Sequence, residues 1–287
     1  TVIFRRKPQL NSRLCFKHLL PQLRIHRKSG AVLSAQRWEI VENCVNLHFA
    51  TQYKRSKVMK IGVIVAMDKE LQLLLPLLGE LKNSVVNGQT FYSGQLGRVE
   101  VVAMKCGIGK VNAALGAATL IESFSPDMII NTGVAGGAGG AAGILDIVVG
   151  TRIAYHDVWC GPGTEWGDAA GCPRFFHTSD RVNSLPSLQE GDTIKHGLIC
   201  SGDIFVSRPE EVERIKSLYP DVDAVDMESA AIAQTCFLRD VPFACMRVIS
   251  DTPGADDNIA QYNNFWEEAP KHTFDTLRLV IEELDSL

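Results

Sequence analysis

The chain has no C-x-x-C pair and no regular cysteine framework, although it carries eight cysteines. That excludes the usual zinc ribbons and fingers and a disulfide-stapled scaffold. Scattered cysteines, several in apolar strand-like runs, suit a reducing cytosol. No Gly-x-x-x-x-Gly-Lys-Ser/Thr run and no His-Glu-x-x-His occurs, so P-loop and HExxH zinc-protease chemistry are excluded. Long apolar runs are also missing. The longest uncharged stretch, Met128 to Leu145, spans 18 residues but holds six glycines and Asn131. That composition reads as a strand ending in a flexible turn, not as a membrane helix. No secretory signal is evident.

Acidic residues are scarce only at one end. Residues 1–58 hold 12 Lys/Arg against 2 Asp/Glu, a net of +10, so the whole-chain charge of −4 leaves −14 for residues 59–287. An acidic body of this kind argues against a nucleic-acid-binding surface on it. Residues 59–287 are enough for one α/β domain with a large core. A hydrophobic content of 46% beside 22% charged residues is ordinary for a globular protein.

Within residues 59–287 short apolar runs alternate with helical patterns. Strands are expected at 60–66, 90–96, 99–105, 127–130, 144–156, 194–200, 223–225 and 243–249. Helices are expected at 68–78, 110–123, 209–218, 228–238 and 265–284. The alternation implies a single three-layer α/β/α domain with a mixed, largely parallel central sheet. Gly137-Ala138-Gly139-Gly140-Ala141-Ala142 fits a dinucleotide fingerprint, but that fingerprint must open a helix, and the β-rich run from Ile144 follows instead. Gly107-Ile108-Gly109 has Asn112 at its third glycine position. Neither supports a Rossmann cofactor.

Four stretches carry groups suited to catalysis. Ala66-Met67-Asp68-Lys69-Glu70 follows the first strand, and Gly133-Val134-Ala135-Gly136-Gly137 follows another. Ala224-Val225-Asp226-Met227-Glu228-Ser229-Ala230 and Arg247-Val248-Ile249-Ser250-Asp251 come later. Carboxyl groups in different environments can divide acid and base work. Each has a plainer reading. Asp251 stands in good turn chemistry, Ser-Asp-Thr-Pro-Gly. Glu70 and Asp68 suit the start of a helix dipole. Phe205 and Met227 suit core packing.

In their order, the four stretches resemble the 5′-methylthioadenosine/S-adenosylhomocysteine nucleosidases, a branch of the nucleoside phosphorylase superfamily. The resemblance runs from Met59 to near the C-terminus. It implies a nucleoside phosphorylase-like fold and an enzyme that hydrolyses the N-glycosidic bond of both nucleosides, releasing adenine in methyl-cycle and methionine salvage. It further implies a homodimer in the cytoplasm that uses no cofactor and no metal, with a small-molecule nucleoside as partner.

The residue roles it implies are as follows. Asp251 protonates adenine N7, positioned by Ser250. Glu70 activates water, with Arg247 helping to orient it. Glu228 accepts from the ribose hydroxyls, as an acceptor-only carboxylate can, and Met227 packs on the sugar. Phe205 stacks on the base and Val206 meets it through its backbone. Ala135 and Gly136 allow close approach, and Ile108 and Tyr262 line the thioalkyl pocket. Two departures stand out: Val134 replaces a frequent Ser, and the loop from Asp157 to Pro173, with Trp159 and Trp166, differs. In dimeric relatives that loop reaches the neighbouring pocket.

Met59-Lys60-Ile61-Gly62 looks like the natural opening of the family. Residues 1–58 are therefore expected to be a basic N-terminal extension that is non-native or poorly ordered, with 59–287 as the nucleosidase domain. A transit peptide or a basic arm for anionic partners are the other readings. Three rival functions remain at this point: a nucleoside phosphorylase, a futalosine-type nucleoside hydrolase, and a non-catalytic nucleoside-binding protein. The first needs a dianion cradle, and Glu70 would repel phosphate.

Overall fold

The computed structural model describes residues 58–139, 141–268 and 270–287. The basic extension, apart from Val58, lies outside the described residues. No described helix is long and apolar enough to cross a membrane.

Strand β1 (Lys60–Val65) forms the centre. It pairs in parallel with β4 (Val99–Lys105) on one side and β5 (Met128–Gly137) on the other. Strands buried on both faces read as continuous apolar runs, and β1 shows how the two faces divide. Ile61, Val63 and Val65 face one apolar cluster, shared with Leu71 and Leu74 of α1 (Asp68–Leu74) and Leu277 and Ile281 of α7 (Pro270–Ser286). Ile64 faces another, with Ala117 and Leu120 of α2 (Lys110–Phe124) and Ala230 and Ala233 of α5 (Ser229–Arg239). The period of two thus sends alternate side chains into two helix layers. This is the expected three-layer α/β/α arrangement.

The far side of the sheet curls. From β5 the pairing runs to β10 (Phe243–Asp251), then β6 (Ile147–Tyr155), β8 (Ile194–Ser201) and β9 (Val222–Asp226), and from β9 back to β5. The β5–β10, β6–β8 and β8–β9 pairs are parallel, and β6–β10 and β5–β9 antiparallel. The other edge is an antiparallel meander of β2 (Gly79–Val86), β3 (Gln89–Leu96) and β4. The short β7 (Phe176–His177) joins β6.

Several expectations need correction. β2 is a strand that the pattern concealed, because none of its residues is buried and no alternation marks a core face. The helix expected over 68–78 stops at Leu74, and Pro76 turns the chain through a 3-10 segment, Leu75–Leu77. β5 does not end at Ile130. It runs through the glycines to Gly137, held by β10 on one side and β9 on the other. The closing helix is two: α6 (Asn258–Glu268) precedes α7. The short α3 (Asp180–Asn183) was not foreseen; α4 (Pro209–Leu218) was, with its proline at the start. After Ala141 no helix opens before β6, as the rejection of the dinucleotide fingerprint required.

Candidate active site

A cleft of about 620 Å3, counted with its open mouth, lies where β1, β4, β5, β8, β9 and β10 end or are about to end. Ligand sites of open α/β sheets sit in this place, outside the carboxyl ends of strands. Each element delivers a side chain by its last residues or the turn beyond. β10 ends on Ser250 and Asp251. β9 leads into Glu228, which stands at the N-cap position of α5 without a side-chain capping bond. The turn after β8 carries Phe205 and Val206, the turn after β4 carries Ile108, and α6 presents Tyr262. All of these line the cleft, with Glu70, Ala135, Gly136 and Met227.

Asp251 is 2% exposed. One carboxylate oxygen accepts from Ser250 Oγ at 2.6 Å and the other from Asn258 Nδ2. Burial pushes its pKa up, against the opposing pull of those two hydrogen bonds. A carboxyl so placed holds its proton more readily than an exposed aspartate and is fixed in orientation.

Glu70 is 1% exposed, at the third position of α1. Its Oε2 accepts from the backbone N–H of Ala66 at 2.8 Å and Met67 at 2.9 Å, and Oε1 accepts from Val134 N–H at 3.1 Å. Burial raises its pKa, although the Arg247 charge and the three N–H donors pull the other way. The contact from position 134 is a backbone one, so valine there keeps it.

Glu228 accepts from Gly109 N–H at 2.9 Å. Its pKa is pushed up to about 7, first by burial and then by the neighbouring Asp226 charge, with Arg247 opposing.

Arg247 is the exception among the expected site residues. It is fully buried and is not on the cleft wall. Its Nη2 lies 2.6 Å from Asp226 Oδ2, 2.8 Å from Asn131 Oδ1 and 3.0 Å from Ser229 Oγ, with Glu228 Oε2 at 3.7 Å. Burial alone would favour discharge, but Asp226, Glu228 and Glu70 hold it as a cation. The geometry thus puts Arg247 behind the carboxylates, where its charge opposes the burial that raises their pKa. Sequence reasoning missed Asp226, Asn131 and Ser229, which hold this arginine, and Asn258, which holds Asp251. Asp226 carried a signal, as a charge within an apolar strand two residues before Glu228. Asn258 carried none.

The apolar wall is open. Phe205 is 46% exposed and meets Tyr262 edge-on, with ring centroids 5.5 Å apart. Ile108 and Ile204 are likewise exposed at the mouth. Tyr262 donates to Met67 Sδ at 3.4 Å. Trp159 and Trp166 stack on each other with centroids 5.8 Å apart, and neither lines the cleft.

Residues 60–282 match the family model of the phosphorylase superfamily, so this sheet and its cleft of buried carboxyl groups are those of a phosphorylase-superfamily protein. Among curated relatives, the 5′-methylthioadenosine/S-adenosylhomocysteine nucleosidase of Anoxybacillus flavithermus is 36% identical over 233 residues, which is 79% of this chain and 100% of the relative. That of Hydrogenovibrio crunogenus is 38% identical over 235 residues, 80% of this chain and 99% of the relative. The chain belongs to the 5′-methylthioadenosine/S-adenosylhomocysteine nucleosidase family. Its fold is similar to the Streptococcus pneumoniae nucleosidase solved with the transition-state inhibitor MT-ImmA, with a TM-score of 0.75 and 35% identity over 79% of this chain and 100% of that one. It is also similar to the futalosine hydrolase of Helicobacter pylori, with a TM-score of 0.74 and 28% identity over 79% and 98%.

Proposed function

We propose that this chain hydrolyses the N-glycosidic bond of 5′-methylthioadenosine and S-adenosylhomocysteine, releasing adenine and the thioribose product. The observation that carries the reading is one cleft that gathers Asp251, Glu70 and Glu228, each buried and each with a raised pKa. Burial favours the protonated form of Asp251, which gives its proton to the adenine ring nitrogen as the bond breaks. Ser250 and Asn258 fix the plane of that carboxyl. Glu70 takes the proton of the attacking water. Arg247, behind it, favours the ionised form the base needs. Glu228 accepts from the ribose hydroxyls, and Met227 covers the sugar. Phe205 stacks on the base, Val206 meets it through its backbone, and Ala135 and Gly136 let it approach β5. Ile108 and Tyr262 receive the 5′ substituent. Positive charge developing on the sugar is held by preorganised carboxylates, as electrostatic catalysis requires.

Water is the better nucleophile than phosphate, because the cleft wall offers carboxylates where a phosphate dianion needs several cationic groups. The working enzyme is proposed to be a cytoplasmic homodimer, with residues 59–287 as its catalytic domain and residues 1–58 dispensable. Incubation of the full chain with 5′-methylthioadenosine, with and without phosphate, tests the reaction. Free methylthioribose and adenine in both conditions is the expected result. A sugar 1-phosphate would make it a phosphorylase, and no adenine would make it a binding protein. Faster cleavage of futalosine would move the substrate assignment.

A further inference from the structure

A second, shallower cleft adjoins the first. The two share Ala66, Met67 and Ile108, and the second adds Asp68, Lys105, Gly107 and Asn112. Base and sugar are assigned to the Asp251 and Glu228 side of the main cleft, so a 5′ substituent leaves between Met67 and Ile108. What it meets there is an ion pair: Lys105 Nζ contacts both Asp68 oxygens, at 2.7 and 2.8 Å. The side chains are 39% and 71% exposed, so both charges are reachable from the cleft. Neither group takes part in the bond cleavage described above.

We propose that the Asp68–Lys105 pair receives the zwitterionic amino-acid tail of S-adenosylhomocysteine. This rests on the reaction assigned to the same cleft. The tail carries an α-ammonium and an α-carboxylate on one carbon. The ammonium pairs with Asp68 and the carboxylate with Lys105, so all four charges keep an opposite partner as the tail enters. A methylthio group reaches neither. The pair therefore favours the longer substrate by charge and does not penalise the shorter one. Because the contact is half exposed, its effect is modest, about two- to fivefold on an equilibrium constant.

The test uses three substrates on the full chain: 5′-methylthioadenosine, S-adenosylhomocysteine, and 5′-butylthioadenosine as an uncharged tail of matching length. Lys105→Met and Asp68→Asn are each expected to raise the KM for S-adenosylhomocysteine about two- to fivefold relative to the butylthio substrate. Lys105→Arg should restore it. In the unmodified chain, added salt should raise the S-adenosylhomocysteine KM more than the butylthio KM, since exposed charges are screened. This second readout stands even if a variant folds poorly. Equal shifts for the charged and uncharged tails, or an unchanged ratio with salt, would overturn the inference while methylthioadenosine cleavage stays intact. Failure to release adenine from any of the three would instead overturn the assigned reaction, and this inference with it.

Discussion

Glu70 and Arg247 approach each other across the α-carbon of Gly133. A Cβ placed there would lie 2.3 Å from Glu70 Oε1 and 2.5 Å from Arg247 Nη1. The backbone at Gly133 has φ +149°, which also disfavours a side chain. Glycine is therefore required by the charged pair behind it. Gly133→Ala is expected to displace the Glu70 carboxylate and lower kcat by about 10²-fold, the scale of an ångström-sized misplacement. Steady-state kinetics beside a thermal melt would check this. A folded alanine variant with unchanged turnover would show that Glu70 does not depend on this spacing.

Asp251→Asn keeps the shape of the carboxyl but has no proton to give at useful pH. Catalysis should fall by at least ~10²-fold, the usual scale of general-acid catalysis. The fold should survive, because an amide oxygen still accepts from Ser250 or Asn258. Near-normal turnover of methylthioadenosine by the folded variant would remove Asp251 from the acid role.

Glu70→Gln separates base chemistry from a helix-start role. The helix-dipole reading alone foresees a loss of about 0.3–1 kcal/mol in stability and normal turnover. Glu70 is more than a dipole partner, however, since both its oxygens accept backbone N–H groups in a buried position. An amide nitrogen turned toward any of them would leave a donor unpaired, at about 1–3 kcal/mol. The expected outcome is a lowered Tm, retained binding of an unreactive nucleoside analogue, and turnover reduced by at least ~10²-fold. Retained turnover with a lowered Tm would leave Glu70 a structural residue.

Much of this was legible in the chain because strands buried on both faces announce themselves. Lys60–Val65 and Phe243–Asp251 have apolar runs that only a covered sheet explains. The reverse case is β2, whose exposed Gly79–Val86 carries no face to read. Glycines misled in β5: they suggested a turn, whereas Gly133 and Gly136 sit inside the strand because Glu70, Arg247 and Pro253 crowd them. Carboxylates at strand ends could be singled out by residue type and position. Arg247 could be found but not placed, since local sequence does not show that Asp226, Asn131 and Ser229 close around it. Asn258 begins a helix that the Pro253-Gly254 turn obscures, so its hold on Asp251 emerges only from the tertiary structure.

A chain beginning at Met59 is expected to keep the activity. The family match starts at residue 60, and the Anoxybacillus relative is matched over 100% of its length within 79% of this chain. Residues 1–58 carry +10 against −14 for the remainder, so any attraction between them should fade as salt screens it over about 10 Å at 0.1 M. Kinetics and melts of the two chains, at low and moderate salt, decide the matter. An insoluble truncation, or one several-fold less active at moderate salt, would show that the extension belongs to the working enzyme.

The raised pKa of Glu228 makes a prediction about stability against pH. Its ordinary value is 4.5, and burial beside Asp226 takes it to about 7 in the folded protein. Between those values the folded state binds a proton that the unfolded state has released. The stabilisation from that proton is complete below about pH 4.5 and is lost as pH rises toward 7. Glu228→Gln has no such titration, yet its amide oxygen can still accept from Gly109. The Tm of the unmodified chain minus that of the variant should therefore decline from pH 4.5 to 7 and then level off. Taking the difference cancels the carboxylates that do not interact with Glu228. Parallel melts across this range give the answer. A difference that is flat, or that grows with pH, would mean that Glu228 is ionised in the folded cleft throughout, with Arg247 outweighing burial.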